Sequence, residues 1–164
     1  MLNLVTHFPG ILKTLVTGAP LICNFAITDT CNANCAFCSF PAQSSGKFVS
    51  LNEGKAAIDH LANLGVKIIS FTGGEPTLHP HLFDLIKHAT DKGILAFTGS
   101  NGILIDEMKA QKYHQSKVTA VWLSVESTNA QELEANRGVA NLTEYIKSAL
   151  KHLQANNVNT FAIS

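Results

Sequence analysis

Charge is scarce in this 164-residue chain: only 15% of its residues are charged, and 12 Lys and Arg balance 12 Asp and Glu. A formally neutral chain offers no electrostatic footprint for nucleic acid or an anionic membrane surface. No apolar run reaches the ~18 residues that a membrane span requires, and the first residues lack the basic segment and small-residue cleavage site of a secretory signal. The order Ser-His-Asp, the P-loop and the dinucleotide fingerprint are all missing. Seven histidines are present, but none stands beside a cysteine or carboxylate pair. His79, His81 and His88 therefore read as capping or surface groups rather than metal ligands. The four cysteines are too clustered for a disulfide framework, which points to a reducing compartment, the cytoplasm. What the chain has in quantity is apolar surface, 46% of residues, at a length that suits one domain.

Three of the four cysteines fall at Cys31, Cys35 and Cys38, spaced C-x3-C-x2-C. Thiolates this close are soft ligands for iron–sulfur clusters or zinc. The spacing matches neither the bacterial nor the plant-type ferredoxin run. With no fourth ligand nearby, a four-iron cluster would keep one iron open to a substrate or cofactor. Cys23 lies about five residues before the end of an expected strand, on the order of 16 Å from the loop. It reads as a small buried hydrophobe.

Periodicity orders the rest. Residues 1–20 form a lead-in in which Pro9, Ile11, Leu12, Leu15 and Val16 predict a short amphipathic helix packed under the core and closed by Gly18. Residues 21–27 are apolar except for Asn24, as expected of a strand buried on both faces. After the cysteine loop, residues 41–47 read as loop. Ser50 and Glu53 form a capping box for a helix whose inner face is Ala57, Ile58, Leu61 and Leu64. Residues 66–72 predict a strand ending in Gly73-Gly74-Glu75-Pro76. Pro80 is expected to open a helix with Leu82, Leu85, Ile86 and Ala89 inward. A strand over 94–98, a turn at Ser100-Asn101-Gly102, a helix over about 104–115 and a strand over 119–125 follow. Thr128 is expected to cap a short helix, and Asn141 with Glu144 the next. Residues 158–164 begin a fifth strand. Repeated strand–helix alternation predicts a parallel α/β fold with right-handed crossovers. It leaves a barrel and a doubly wound sheet both open. The motif-bearing segments all follow strands, so they share the C-terminal face of the sheet, where such folds bind ligands.

The cysteine motif with an aromatic before its last cysteine, followed by Gly-Gly-Glu-Pro at the end of the next strand, resembles the radical S-adenosylmethionine (radical SAM) enzymes over roughly residues 21–164. The resemblance implies a partial (β/α) barrel core that breaks off within the fifth strand. It also implies a 4Fe–4S cluster on Cys31, Cys35 and Cys38, S-adenosylmethionine as cofactor, and a reductant such as a flavodoxin or ferredoxin. The activity implied is reductive cleavage of the cofactor to a 5′-deoxyadenosyl radical that takes hydrogen from a substrate the sequence does not specify. By the same resemblance Phe37 packs near adenine, while Gly73, Gly74, Glu75 and Pro76 bind the methionine amino end. Ser124 then serves the ribose or carboxylate end, Arg137 steadies the carboxylate, and Ser100 and Asn101 face substrate. Glu126 stands where many relatives carry Asp. Read without the resemblance, Gly73 to Pro76 make a tight turn, Phe37 fills space, and Arg137 is a surface group before Gly138. Two other functions stand against the enzyme: a zinc or iron–sulfur module without catalysis, and an inactive fragment of a larger protein.

Overall fold

The computed structural model describes residues 4–163. Five strands, β1 (Ile22–Thr28), β2 (Ile68–Gly73), β3 (Leu95–Ser100), β4 (Ala120–Ser124) and β5 (Thr160–Ile163), form one sheet in the order β1-β2-β3-β4-β5. Every neighbouring pair is parallel. The helices are α1 (Leu4–Thr17), α2 (Phe40–Gln43), α3 (Leu51–Asn63), α4 (Leu82–Asp91), α5 (Glu107–Gln115), α6 (Ala130–Arg137) and α7 (Leu142–Ala155). Spatial order follows chain order without the reversal that defines a doubly wound sheet. The architecture is therefore the singly wound one, an open partial barrel.

Strand alternation divides the residues between two faces. Ile27, Ile69, Phe71, Ala96, Val121 and Leu123 join Ile58 of α3, Leu82, Leu85 and Ile86 of α4, Tyr113 of α5 and Leu153 of α7 in one buried core. Among the described residues no helix packs on the opposite face. There Ile22, Asn24 and Ala26 are exposed, and the rings of Phe97, Trp122 and Phe161 run across neighbouring strands at centroid spacings of 6.1 and 5.9 Å. The expectation that β1 is buried on both faces is thus corrected. Its apolar run serves one helix-covered face and one face open to the barrel interior.

The expected capping box of α3 is present in both directions between Ser50 and Glu53. Other helix starts differ by one to three residues, and side chains explain the difference. Helix α4 begins at Leu82, beyond Pro80, because Pro76–Leu78 forms its own 3₁₀ turn first. Helix α5 begins at Glu107, where the Asp106 carboxylate accepts from the Lys109 N–H. Asn129, not Thr128, caps α6 by accepting from the N–H groups of Gln131 and Glu132. Asn141 takes a left-handed conformation, and its side chain does not cap α7. Residues 41–43, expected as the start of a loop, belong to α2. The rest of that loop is gathered by Asp29, whose carboxylate accepts from the N–H groups of Ser45 and Lys47.

The lead-in helix is longer than expected and includes Pro9. It meets the rest of the chain through Thr14, whose hydroxyl donates to the Gly65 carbonyl. Of the apolar residues expected to pack under the core, Leu12 and Val16 are exposed, Ile11 is half-buried, and the side chain of Leu15 lies outside the described residues. The final residue of the expected fifth strand, Ser164, lies outside the described residues.

Candidate active site

The C-terminal ends of the strands surround a cavity of about 200 Å³. Cys31 lines it from the loop after β1, Gly73, Gly74, Glu75 and Pro76 from the end of β2, and Ser100 and Asn101 from the end of β3. Ser124 at the end of β4 and Arg137 at the end of α6 also line it, whereas Cys35, Cys38 and Phe37 are not among its lining residues. Residues up to 106 positions apart in sequence thus meet in one place, as parallel α/β topology dictates. A larger depression of about 550 Å³ lies on the outer face between α3, α4 and α5. Its mixed lysines and aspartates are remote from the strand ends, and it holds none of the expected site residues.

The cysteine loop is held from three sides. A register shift between Ala26 and Thr28 ends the regular pairing of β1 with β2, a bulge that re-aims the chain. The N–H groups of Gly74 and Glu75 then donate to the carbonyls of Thr28 and Thr30 at 2.9 and 2.8 Å. A Cβ on Gly73 or Gly74 would lie 2.1 Å from one of those carbonyl oxygens. The two glycines are required first by this backbone-on-backbone contact, and Gly73 also has φ +134°. On the second side Asn101 Nδ2 donates to Asn32 Oδ1 at 2.8 Å. On the third, Asn34 N–H donates to the Arg137 carbonyl and Ala36 N–H to the Asn136 carbonyl.

Glu75 is 2% exposed. Its Oε1 accepts from the Thr77 N–H, the Thr77 hydroxyl and the Ser100 hydroxyl, and its Oε2 accepts from the Asn101 N–H. Burial pushes this carboxyl above its ordinary range, with the four donors pulling the other way. Glu75 is thus a tie between the ends of β2 and β3. Ser100 and Asn101, expected to face substrate, are both buried and already bonded. The Ser100 hydroxyl also accepts from the Gly102 N–H, and Asn101 Oδ1 from the Ile103 N–H.

Arg137 is nearly buried and is not free to meet a ligand with its whole fork. Its Nε and Nη2 both donate to the Glu126 carboxylate. Its Nη1 donates to Cys35 Sγ at 3.6 Å, and the guanidinium lies 5.3 Å from the Phe37 ring centre. Burial works against its charge, but Glu126 and Cys35 outweigh that and hold its pKa above the usual value. Phe37 is 62% exposed and its ring lies against the Arg137 guanidinium.

The donor set suits a thiolate-bound cluster. Cys35 is buried, while Cys31 and Cys38 are partly exposed. Ala33 N–H points at Cys31 Sγ from 3.5 Å, the kind of backbone donor that steadies a thiolate. Burial pushes the Cys31 thiol up, and Glu75, Cys35 and Cys38 are near enough to add to it electrostatically. Among the described residues no three Cys, His, Asp or Glu side chains converge as around a single ion. Cys23 packs against the core on the helix side of β1, and its thiol is pushed up by that burial.

Sequence reasoning missed Thr72, Gly99 and Trp122, which also line the cavity. Trp122 could have been found from strand period: it is two residues before Ser124 on β4 and so shares its face. Gly99 is where the indole lies, since a Cβ there would be 2.2 Å from Trp122 Nε1. His79 is structural, as expected. Its Nδ1 accepts from the His81 N–H, so its Nε2–H donates to the Val49 carbonyl.

A sequence profile of the Radical SAM superfamily matches residues 25–164. The chain belongs to the radical SAM superfamily. It is 33% identical over 147 residues to the AdoMet-dependent heme synthase of Nitratidesulfovibrio vulgaris, covering 87% of this chain and 40% of that protein. It is 32% identical over 109 residues to the PqqA peptide cyclase of Bradyrhizobium diazoefficiens, covering 65% and 29%. The fold is similar to that of Streptococcus suis SuiB bound to precursor peptide SuiA, with a TM-score of 0.76, 18% identity and coverage of 97% and 36%. The chain therefore spans about two fifths or less of these relatives. The superfamily's cofactors are a 4Fe–4S cluster and S-adenosylmethionine, and its members are enzymes. Among the described residues no helix is long and apolar enough to cross a membrane.

Proposed function

We propose that this chain forms the cofactor-binding part of a radical SAM enzyme, with the cluster held by Cys31, Cys35 and Cys38 and not by Cys23. The observation that supports the reading is that the Gly73-to-Pro76 strip is bonded to the segment leading into the thiol loop and lines one cavity with Cys31 at the strand ends. When bound, the cluster and S-adenosylmethionine supply reductive sulfur–carbon cleavage and a 5′-deoxyadenosyl radical for hydrogen abstraction. The protein's own task is to orient the cofactor and exclude competing reactions. Glu75 Oε2 has a single internal donor, leaving it a lone pair for the cofactor's ammonium. Ser124 supplies a hydroxyl at the end of β4, and Trp122 with Phe97 forms an apolar wall that keeps water from a reactive intermediate. Asn101 and Ser100 support Glu75 by donating to its carboxylate. The electron donor is a flavodoxin- or ferredoxin-type protein, and the cytoplasm is where such a cluster persists.

The test is iron content after anaerobic reconstitution. The wild-type chain and Cys23→Ala are expected to bind about four irons and turn brown. Cys31→Ala, Cys35→Ala and Cys38→Ala are expected to lose the visible absorbance. A colourless wild-type protein with one zinc, or a Cys23→Ala variant without iron, would contradict the proposal.

A further inference from the structure

We infer that Arg137 is a positioning residue that sets the reduction potential of the cluster, with Glu126 holding it in place; this rests on the function proposed above. The guanidinium uses Nε and Nη2 on the two oxygens of Glu126. That leaves Nη1, which donates to Cys35 Sγ across a buried 3.6 Å contact. Phe37, two residues further along the loop, closes one side of the guanidinium at 5.3 Å. A planar fork can serve a carboxylate and a third acceptor together, whereas a single ammonium is a point donor.

The backbone fixes the same contact independently. The backbone N–H groups of Asn34 and Ala36 donate to the last carbonyls of α6, at residues 137 and 136. The helix then ends at Gly138, with φ +62° and a Cβ position 2.7 Å from the Asn34 carbonyl oxygen. The end of α6 therefore delivers one positive charge and one N–H to the middle thiolate of the loop. Hydrogen bonds to cluster sulfurs, net charge and solvent exposure set cluster potentials. A cation and a donor both favour the more negative, reduced cluster, so this contact raises the midpoint potential and eases electron entry.

The test is an EPR-monitored dithionite titration of the anaerobically reconstituted chain, without S-adenosylmethionine, in wild type, Arg137→Gln, Arg137→Lys and Gly138→Ala. Both Arg137 variants are expected to shift the midpoint to a more negative value at unchanged iron per protein. In Arg137→Lys the ammonium pairs with Glu126 and no longer reaches Cys35. Gly138→Ala crowds the Asn34 carbonyl and strains the turn that delivers the guanidinium, so it is expected to melt earlier with a smaller shift of the same sign. If Arg137→Gln loses its iron, Arg137→Lys decides. A wild-type midpoint in either cluster-bearing Arg137 variant overturns the inference. A wild-type chain that assembles no four-iron cluster would instead sink the function on which it rests.

Discussion

Replacing Glu75 by alanine removes the one acceptor shared by the ends of β2 and β3. Its carboxylate takes four donors, at 2.6 Å from the Thr77 hydroxyl, 3.0 Å from the Thr77 N–H, 2.9 Å from Ser100 and 2.8 Å from the Asn101 N–H. The hydroxyls can rotate toward other partners, but the two N–H groups cannot. Each stranded buried donor costs about 1–3 kcal/mol. Part of this is offset because burying a carboxylate is itself unfavourable. A net loss of about 3 kcal/mol follows, which for a chain of this size lowers the melting temperature by roughly 6–12 °C. Glu75→Gln keeps one carbonyl acceptor but turns an NH2 toward a donor, so a smaller loss is expected. The assay is thermal unfolding of the cluster-free proteins by circular dichroism, beside cofactor binding to the reconstituted ones. A Glu75→Ala variant that melts with wild type yet loses cofactor affinity would refute the bracing role and leave only the ligand role.

Gly54→Ala is expected to lower the melting temperature although alanine is the better helix former by about 1 kcal/mol. Its Cβ would lie 2.6 Å from Leu85 Cδ2 at the α3–α4 contact, and overpacking a core costs about 1–3 kcal/mol. Acid should loosen the loop after the cysteines before it unfolds the sheet. Hydrogen bonds from Ser45 hold the Asp29 carboxyl down to about 2, so the bonded loop is fully favoured above the usual carboxylate range. That ordering is lost as pH falls from about 4 through 2. Amide exchange at Ser45 and Lys47 in the cluster-free protein reads it, and protection unchanged at pH 2 would contradict it. Trp122→Ala is expected to open the cavity and increase formation of 5′-deoxyadenosine without product, read by chromatography.

Elements driven by local chemistry were legible in the sequence. The capping box at Ser50 and Glu53, the apolar face of α4 and the five strand cores all follow from spacing that acts within a few residues. So was the meeting of Cys31, Glu75 and Ser124, because parallel topology sends every strand end to one face; Arg137 comes there from the end of α6, and only the family resemblance pointed to it. What the sequence left unread depends on partners far along the chain. Gly73 and Gly74 look like a ligand cradle until the Thr28 and Thr30 carbonyls are placed against them. Glu75 and Arg137 look unpaired in the sequence, whereas Thr77, Ser100 and Asn101 bond the first and Glu126 the second. Hydrophobic pattern also could not tell that β1 has one open face, since apolar residues line a barrel interior as readily as a buried layer.

The most direct measurement is the EPR spectrum of the dithionite-reduced, reconstituted chain with and without S-adenosylmethionine. An iron left open by three thiolates should bind the cofactor, changing the spectrum saturably, with 5′-deoxyadenosine forming in the same sample. A reduced cluster whose spectrum is indifferent to the cofactor would contradict the account.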